Sequence, residues 1–444
     1  MKNDLVIIGG VTAGISSAVK AKLYNPEIKV TVFTEEKHIS YAGSGLPYFI
    51  GDKNLPNEKL MSSSIVQFGL QDINIKTATR AISINPERKK IMLEDLQTRR
   101  KYLRSYDRLI IATGAKPNIP QVAGNNLKGI FALRNIDNSL AIRQYFLEQK
   151  PKRALVIGAG YIGLEMIENL LEYNCQVTII EKASHIIPNM DSDMASFVED
   201  YLESRGVSVF TDTAVNEFRG RTTVKEVITD KLSIPADFVL LSTGVVPNME
   251  LAEEAGIELG VNNAIKVNEK METSLNDIFA AGDCVSTRHL VSGREVYLPM
   301  GSTADKQGKV AGENAAGGNA VFKGVLGTGI ARVLDMEFSR SGLHEEECIK
   351  LGIEFISRKV AAKTAALYSP GSGDMNLKLI AEKNSGRLIG AQIIGYAGAA
   401  RRIDMLATAI TINATVNSLI DMDLAYSSHF SPNWDPVLAA LNQF

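Results

Sequence analysis

A glycine-punctuated turn between an apolar run and a helix-like segment occurs twice in this chain, at residues 9 and 158. No other feature restricts the fold as much. The second copy is the more regular. Ala154-Leu155-Val156-Ile157 has the continuous apolar character of a strand buried on both faces. It enters Gly158-Ala159-Gly160-Tyr161-Ile162-Gly163, with three glycines at G-x-G-x-x-G spacing, and a helix is predicted over 164–173. In such a turn the first glycine permits the reversal, the second lets a pyrophosphate approach the backbone, and the third brings helix and strand together. The pyrophosphate sits on the unpaired amides of the helix N-terminus. A strand predicted over 176–180 ends at Glu181, whose carboxylate suits both ribose hydroxyls of NAD and repels a 2′-phosphate. Lys182 is the one basic neighbour, so NADH is favoured and NADPH stays the alternative.

The copy that opens the chain departs from the pattern. Leu5-Val6-Ile7-Ile8 leads into Gly9-Gly10-Val11-Thr12-Ala13-Gly14, with a helix predicted over 15–23. Gly9 and Gly14 keep the outer positions, but Val11 stands where the middle glycine belongs. The strand over 29–33 is followed by Thr34, Glu35 and Glu36, of which Glu35 is the preferred ribose ligand. Two further apolar strands, from Leu109 and from Leu240, stop at Thr113-Gly114 and Thr243-Gly244. A third, from Asp277, stops at Gly282-Asp283, where an acceptor suits a ribityl hydroxyl of FAD. Together these stops specify an α/β chain with two Rossmann-like dinucleotide-binding domains. The FAD-binding domain is placed at 1–115 with a return segment at 244–321, and the NAD-binding domain at 116–243. From 322 to 444 the pattern changes to α+β, with a hairpin around 383–386 and a helix over 399–413.

Composition narrows the remaining classes. A net charge of −2 gives no global electrostatic case for nucleic acid or an anionic membrane surface. No apolar run approaches the ~20 residues of a membrane helix, and the opening segment reads as a strand rather than a leader, so a cytoplasmic enzyme is expected. Cys175, Cys284 and Cys348 stand far apart with no C-x-x-C, and the five histidines are scattered, so no metal site is expected.

With these motifs in place, the chain resembles the pyridine nucleotide-disulfide oxidoreductases, and within them the branch of coenzyme A disulfide reductase, NADH oxidase and NADH peroxidase. The most branch-specific stretch is Ser40-Tyr41-Ala42-Gly43-Ser44-Gly45-Leu46-Pro47-Tyr48-Phe49-Ile50-Gly51, which matches the family's redox segment except that Ser44 replaces its single cysteine. Tyr426, Phe430-Ser431-Pro432 and Trp434-Asp435-Pro436 match near the other end. The resemblance implies FAD over Gly9, Val11, Gly14, Thr34, Glu35, Ser44, Thr113, Gly114, Gly282 and Asp283. It implies NADH over Gly158, Gly160, Gly163, Glu181 and Gly244, with Glu165 near the nicotinamide and flavin. Tyr368 and Tyr426 match tyrosines brought to the substrate sulfur across a homodimer, which makes 322–444 a dimerisation domain. Lys20, Lys22 and Ser40 are the candidate contacts for coenzyme A.

A thiolate serves this chemistry as nucleophile, leaving group and redox carrier at once, and a hydroxyl is none of these. Ser44 is read either as an introduced replacement or as a native loss of the thiol, and its intact flanks favour the first. Cys284 is read as having no redox role. Thr12 stands where the oxidases and peroxidases carry a histidine, which weakens the peroxidase reading. The expected function is therefore an FAD-dependent NAD(P)H oxidoreductase that passes electrons to a small disulfide or coenzyme A-type thiol compound. The alternative is an NADH oxidase delivering to oxygen or an external carrier.

Overall fold

The computed structural model describes residues 4–61 and 64–444. The opening apolar run forms Asp4–Ile8, at the centre of a five-stranded parallel sheet. Its order is Ile278–Ala280, Arg108–Ile111, Asp4–Ile8, Lys29–Phe33, Ile73–Lys76. The second sheet repeats this plan with Ser208–Phe210, Gln176–Ile180, Arg153–Ile157, Phe238–Leu241 and Ile130–Ala132. Each parallel sheet is accompanied by a three-stranded antiparallel sheet, 79–105 with the first and 215–235 with the second. Parallel strands need crossovers, and those crossovers cover both faces, which is why these strands read as unbroken apolar runs.

Both glycine-loop helices start earlier than predicted, at Thr12 and at Tyr161, and end at Tyr24 and Glu172. Gly14 and Gly163 lie inside the first turn rather than ahead of it. The Thr12–Tyr24 helix presents Ala13, Ser17, Ala18 and Ala21 to the Gly301–Ala315 helix. A Cβ at Gly308 would lie 2.4 Å from the Ala13 carbonyl oxygen, and one at Gly312 would lie 2.2 Å from that of Ser17. Glycines on one helix and small residues on the other let the two backbones touch. That contact draws the return segment onto the first dinucleotide loop.

The C-terminal region is a five-stranded antiparallel sheet, ordered Gly329–Val333, Met336–Gly342, Leu388–Gly395, Asp374–Glu382, Phe355–Lys363. The expected hairpin is present, paired from Met375↔Gly395 to Ala381↔Leu388 with one bulge. The helix predicted over 399–413 is a short 3-10 turn at Ala400–Arg402 followed by Ile403–Thr411. One face of this sheet packs on Ile403–Thr411 and Pro436–Leu441. The other reaches the NAD-type domain, where Phe338 stacks on Tyr161 with ring centroids 5.8 Å apart. Arg104 ties the antiparallel sheet of 79–105 to the first strand by forking onto the Asp4 carboxylate, with both N–O distances at 2.7 Å.

Candidate dinucleotide and redox site

The first loop is built around two glycines whose side chains have no room. Gly9 has φ +118°, and a Cβ there would lie 2.0 Å from the Ala112 carbonyl oxygen. A Cβ at Gly14 would lie 1.9 Å from the Gly9 carbonyl oxygen. Val11 caps the helix through its backbone, with no side-chain cap. In the second loop Gly158 has φ +99° and faces the Ser242 carbonyl, and Gly163 faces Gly158. Gly160 differs, since a Cβ there would meet no protein atom within 4 Å. The room it leaves lies at the N-terminus of the Tyr161–Glu172 helix, the place for a pyrophosphate. Both loops thus fit a dinucleotide.

After the first sheet's second strand ends at Phe33 the chain bends over 35–37, with the Glu36 amide donating to the Thr34 hydroxyl at 3.4 Å, and this bend sends the two glutamates to different sides. Thr34 is buried. Glu35 is exposed and pairs with Arg80 at 2.7 Å, away from the loop. Glu36 turns inward and accepts a 2.8 Å hydrogen bond from the Tyr41 hydroxyl, and burial raises its carboxyl above the usual range. Asn135 and Arg134 act on the same carboxyl. Arg134 in turn holds Asp283 at 2.7 Å and donates to the Ala115 carbonyl at 3.0 Å. The Tyr297 hydroxyl donates to the Asp283 carbonyl, and the buried Gln307 accepts from the Gly282 amide. Glu36, Arg134, Tyr297 and Gln307 therefore join the site that the strand stops at 113 and 283 outlined. Arg134 and Gln307 lie outside any short motif, so sequence reading had no signal for them.

Glu181 ends its strand as expected, and its two oxygens accept the Ala159 and Ala183 amides, each at 2.8 Å. The carboxylate is thereby anchored to the glycine loop itself. Glu165 sits one turn into the loop helix, and burial alone lifts its carboxyl from 4.5 to about 7. The hydroxyl of Tyr48, on the Leu46–Gly51 helix, senses its charge. Such a group carries a proton near neutral pH and can release it, as a general acid–base must. It also makes stability depend on pH. Below the ordinary value of 4.5 the carboxyl is protonated in folded and unfolded chains alike. As pH rises to about 7, ionisation favours the unfolded chain, by about 3 kcal/mol at full extent. Glu165→Gln is expected to raise the melting temperature relative to the unsubstituted chain at pH 8 and to leave it unchanged at pH 4, measured by calorimetry.

Ser44 lies exposed on the 3-10 turn Gly43–Gly45, directly ahead of the Leu46–Gly51 helix. That turn is tied to the first loop, because the Ser40 amide donates to the Gly10 carbonyl at 3.0 Å and Ser40 adopts φ +50°. The helix after it is braced on the second domain: Tyr173 donates to the Ile50 carbonyl at 2.9 Å, and a Cβ at Gly51 would lie 1.9 Å from Asn169 Oδ1. The segment thus bridges the two dinucleotide loops. The three thiols are elsewhere and buried, and burial raises Cys175 to about 11, Cys348 to about 12 and Cys284 likewise upward. None is a thiolate at neutral pH. Among the described residues no group of His, Cys, Asp and Glu is placed to hold a metal ion.

The two lysines singled out on the first helix do not share a site. Lys22 donates to the Pro26 and Ile28 carbonyls and to Asp72, at 2.8, 3.0 and 2.7 Å. Its three protons are thus engaged by the turn between helix and strand and by Asp72, which stands just ahead of the Ile73–Lys76 strand. Lys22→Met is expected to cost about 1–2 kcal/mol of stability in chemical unfolding, with coenzyme A binding unaltered by calorimetric titration. Lys20 instead pairs with Glu313 at 2.9 Å. Tyr368 and Tyr426 are both exposed, near Leu367, Phe430 and Trp434 in sequence, and the Tyr426 hydroxyl bonds Asn433. Arg402 joins their loops by donating to the Thr364 and Phe430 carbonyls at 3.0 and 2.9 Å.

The chain belongs to the pyridine nucleotide-disulphide oxidoreductase family, whose main region matches residues 3–308 and whose dimerisation domain matches residues 330–436. It is an FAD-dependent NAD(P)H oxidoreductase. A CoA-dependent NAD(P)H sulfur oxidoreductase of Pyrococcus abyssi is 35% identical, the match covering 100% of this chain and 99% of the relative. An NADH oxidase of Methanocaldococcus jannaschii is also 35% identical, covering 98% of this chain and 97% of the relative. Among solved structures, an NAD-dependent persulfide reductase from A. fulgidus superposes with a TM-score of 0.95 at 36% identity, covering 99% of this chain and 82% of that one. No helix of the described residues is long and apolar enough to cross a membrane.

Proposed function

We propose that this chain is a cytoplasmic homodimeric flavoprotein built on the plan of the coenzyme A disulfide or persulfide reductases, whose hydroxyl at the position of the sulfur chemistry diverts its electrons to oxygen. When bound, the flavin accepts the nicotinamide's hydride and supplies its electrons to an acceptor. Gly9, Gly14, Thr113, Gly114, Gly282 and Asp283 hold FAD. Gly158, Gly160, Gly163 and Gly244 hold the nucleotide, with Glu181 on its ribose. Glu165 keeps a proton available beside the reacting rings. Tyr368 and Tyr426 serve the site of the other subunit. The observation that carries this reading is the exposed Ser44 turn, hydrogen-bonded to one dinucleotide loop and leading into a helix braced on the helix of the other.

Because every thiol in the chain is buried with its pKa raised, turnover here goes to an acceptor that needs no sulfur exchange. Oxygen is that acceptor, and the M. jannaschii relative is itself named an NADH oxidase. Mixing the NADH-reduced protein first with CoA disulfide under argon and then with air tests this. Flavin absorbance should return only in air. Its return with CoA disulfide alone would show that Ser44 does not block exchange.

A further inference from the structure

The chain passes between its two dinucleotide domains twice, and the two passages carry the same pattern: Thr113-Gly114-Ala115-Lys116-Pro117-Asn118 and Thr243-Gly244-Val245-Val246-Pro247-Asn248. They run antiparallel, paired Ala115↔Pro247, Lys116↔Val246 and Pro117↔Val245. The polar contacts that join the two passages come in matching pairs. The Asn248 amide donates to the Gly114 carbonyl and the Asn118 amide to the Gly244 carbonyl, both at 3.0 Å. The Thr113 hydroxyl donates to the Asn248 carbonyl at 2.8 Å, and the Thr243 hydroxyl donates to the Asn118 carbonyl. The Asn248 side-chain amide returns to the Thr113 carbonyl at 2.9 Å, and that of Asn118 to the Thr243 carbonyl at 3.3 Å. Gly114 and Gly244 both have positive φ, +68° and +85°, so the two strands leave their domains by the same bend.

We infer that this two-fold clasp fixes the edge of the nucleotide domain against the edge of the flavin domain, and that Asn118 and Asn248 are positioning residues for hydride transfer. Each passage begins at the strand stop of one domain, Ile111 to Thr113 or Leu241 to Thr243, where a cofactor is held. A relative rotation of the domains must therefore shear the pairing between the passages. Four of the contacts are made by the side chains of the two Thr and two Asn residues, so the lock does not depend on backbone pairing over three residues alone. The clasp also reaches the flavin side directly, because Arg134 binds both the Ala115 carbonyl and Asp283. Hydride transfer is sensitive to placement, and an error of about 1 Å costs on the order of 10²-fold in rate. A device that holds two rings on separate domains in one geometry contributes to rate without contributing to the affinity of either.

The test uses the FAD-loaded protein with Asn248→Ala and, separately, Asn118→Ala. Amide exchange by mass spectrometry should accelerate at both passages in each variant, because removing one asparagine side chain loosens the opposite strand. Flavin reduction at saturating NADH in the stopped flow should slow by about tenfold for Asn248→Ala and by less for the longer, exposed Asn118 contact, with the NADH dissociation constant within about twofold. Exchange confined to the substituted passage, or an unchanged reduction rate, overturns the inference. A weakened NADH affinity at unchanged rate overturns it too, by assigning the asparagines to binding. Should Asn248→Ala fail to hold flavin, the exposed Asn118→Ala decides the matter on the same criteria.

Discussion

Ser44→Cys is expected to raise NADH-dependent reduction of CoA disulfide on the order of 10³-fold or more, from a background set by uncatalysed exchange. The argument rests on what surrounds position 44. The side chain is exposed, on a turn whose neighbour Gly43 has no atom within 4 Å of where a Cβ would stand. The side chain at 44 is itself exposed, so exchanging oxygen for sulfur leaves the turn's backbone and its packing as they are. It is also set apart from Cys175, Cys284 and Cys348, whose burial raises their thiols and keeps them protonated. Neither side of the turn needs to change, since Ser40 is tied to the first glycine loop and Tyr173 to Ile50 whatever atom stands at 44. Steady-state assays of free thiol released per NADH, on both proteins, measure the gain. A cysteine variant no faster than the serine chain would mean that the turn is not the sulfur site.

The second large effect separates the two glycine loops. Gly9→Ala is expected to yield protein without flavin and with stability lowered by more than about 3 kcal/mol. Alanine at φ +118° is strained in itself, and its Cβ would collide with the backbone oxygen of Ala112 on the adjoining strand, which cannot move without disturbing the sheet. Gly160→Ala, by contrast, meets no protein atom and should leave the fold and the FAD content intact. Its added methyl faces the room reserved for the second pyrophosphate, so the loss should appear in NADH affinity alone. Flavin absorbance of the purified variants, followed by NADH titration, distinguishes a glycine required by the chain from one required by the ligand.

The parts of the site legible in the sequence are those where one short segment carries both the local structure and the chemistry. Glycine loops, the strands before them and Glu181 all follow from unbroken apolar runs and fixed spacing. The inward turn of Glu36 is not legible in the same way, because it follows from a bend over 35–37 beyond the end of the strand rather than from strand alternation. The internal partners of Lys22 are not legible, because a cation on a helix looks free until the turn that follows folds back beneath it. Arg134, Gln307 and the asparagine clasp could not be read, as each depends on contacts between segments more than 20 residues apart, such as the 135-residue separation of Thr113 and Asn248. The Thr-Gly-x-x-Pro-Asn pattern occurs twice in the sequence, but nothing in a single copy says that the two will meet.

The most direct test of the central claim is an anaerobic NADH titration of the unsubstituted protein, followed by flavin absorbance. Bleaching should be complete at one NADH per flavin, with no further uptake, because Cys175, Cys284 and Cys348 are buried with raised thiols and leave the flavin as the redox centre. Failure to bleach would contradict hydride transfer onto FAD. Uptake of a second equivalent would contradict the assignment of Ser44, by revealing a sulfur centre in the chain that accepts electrons after all.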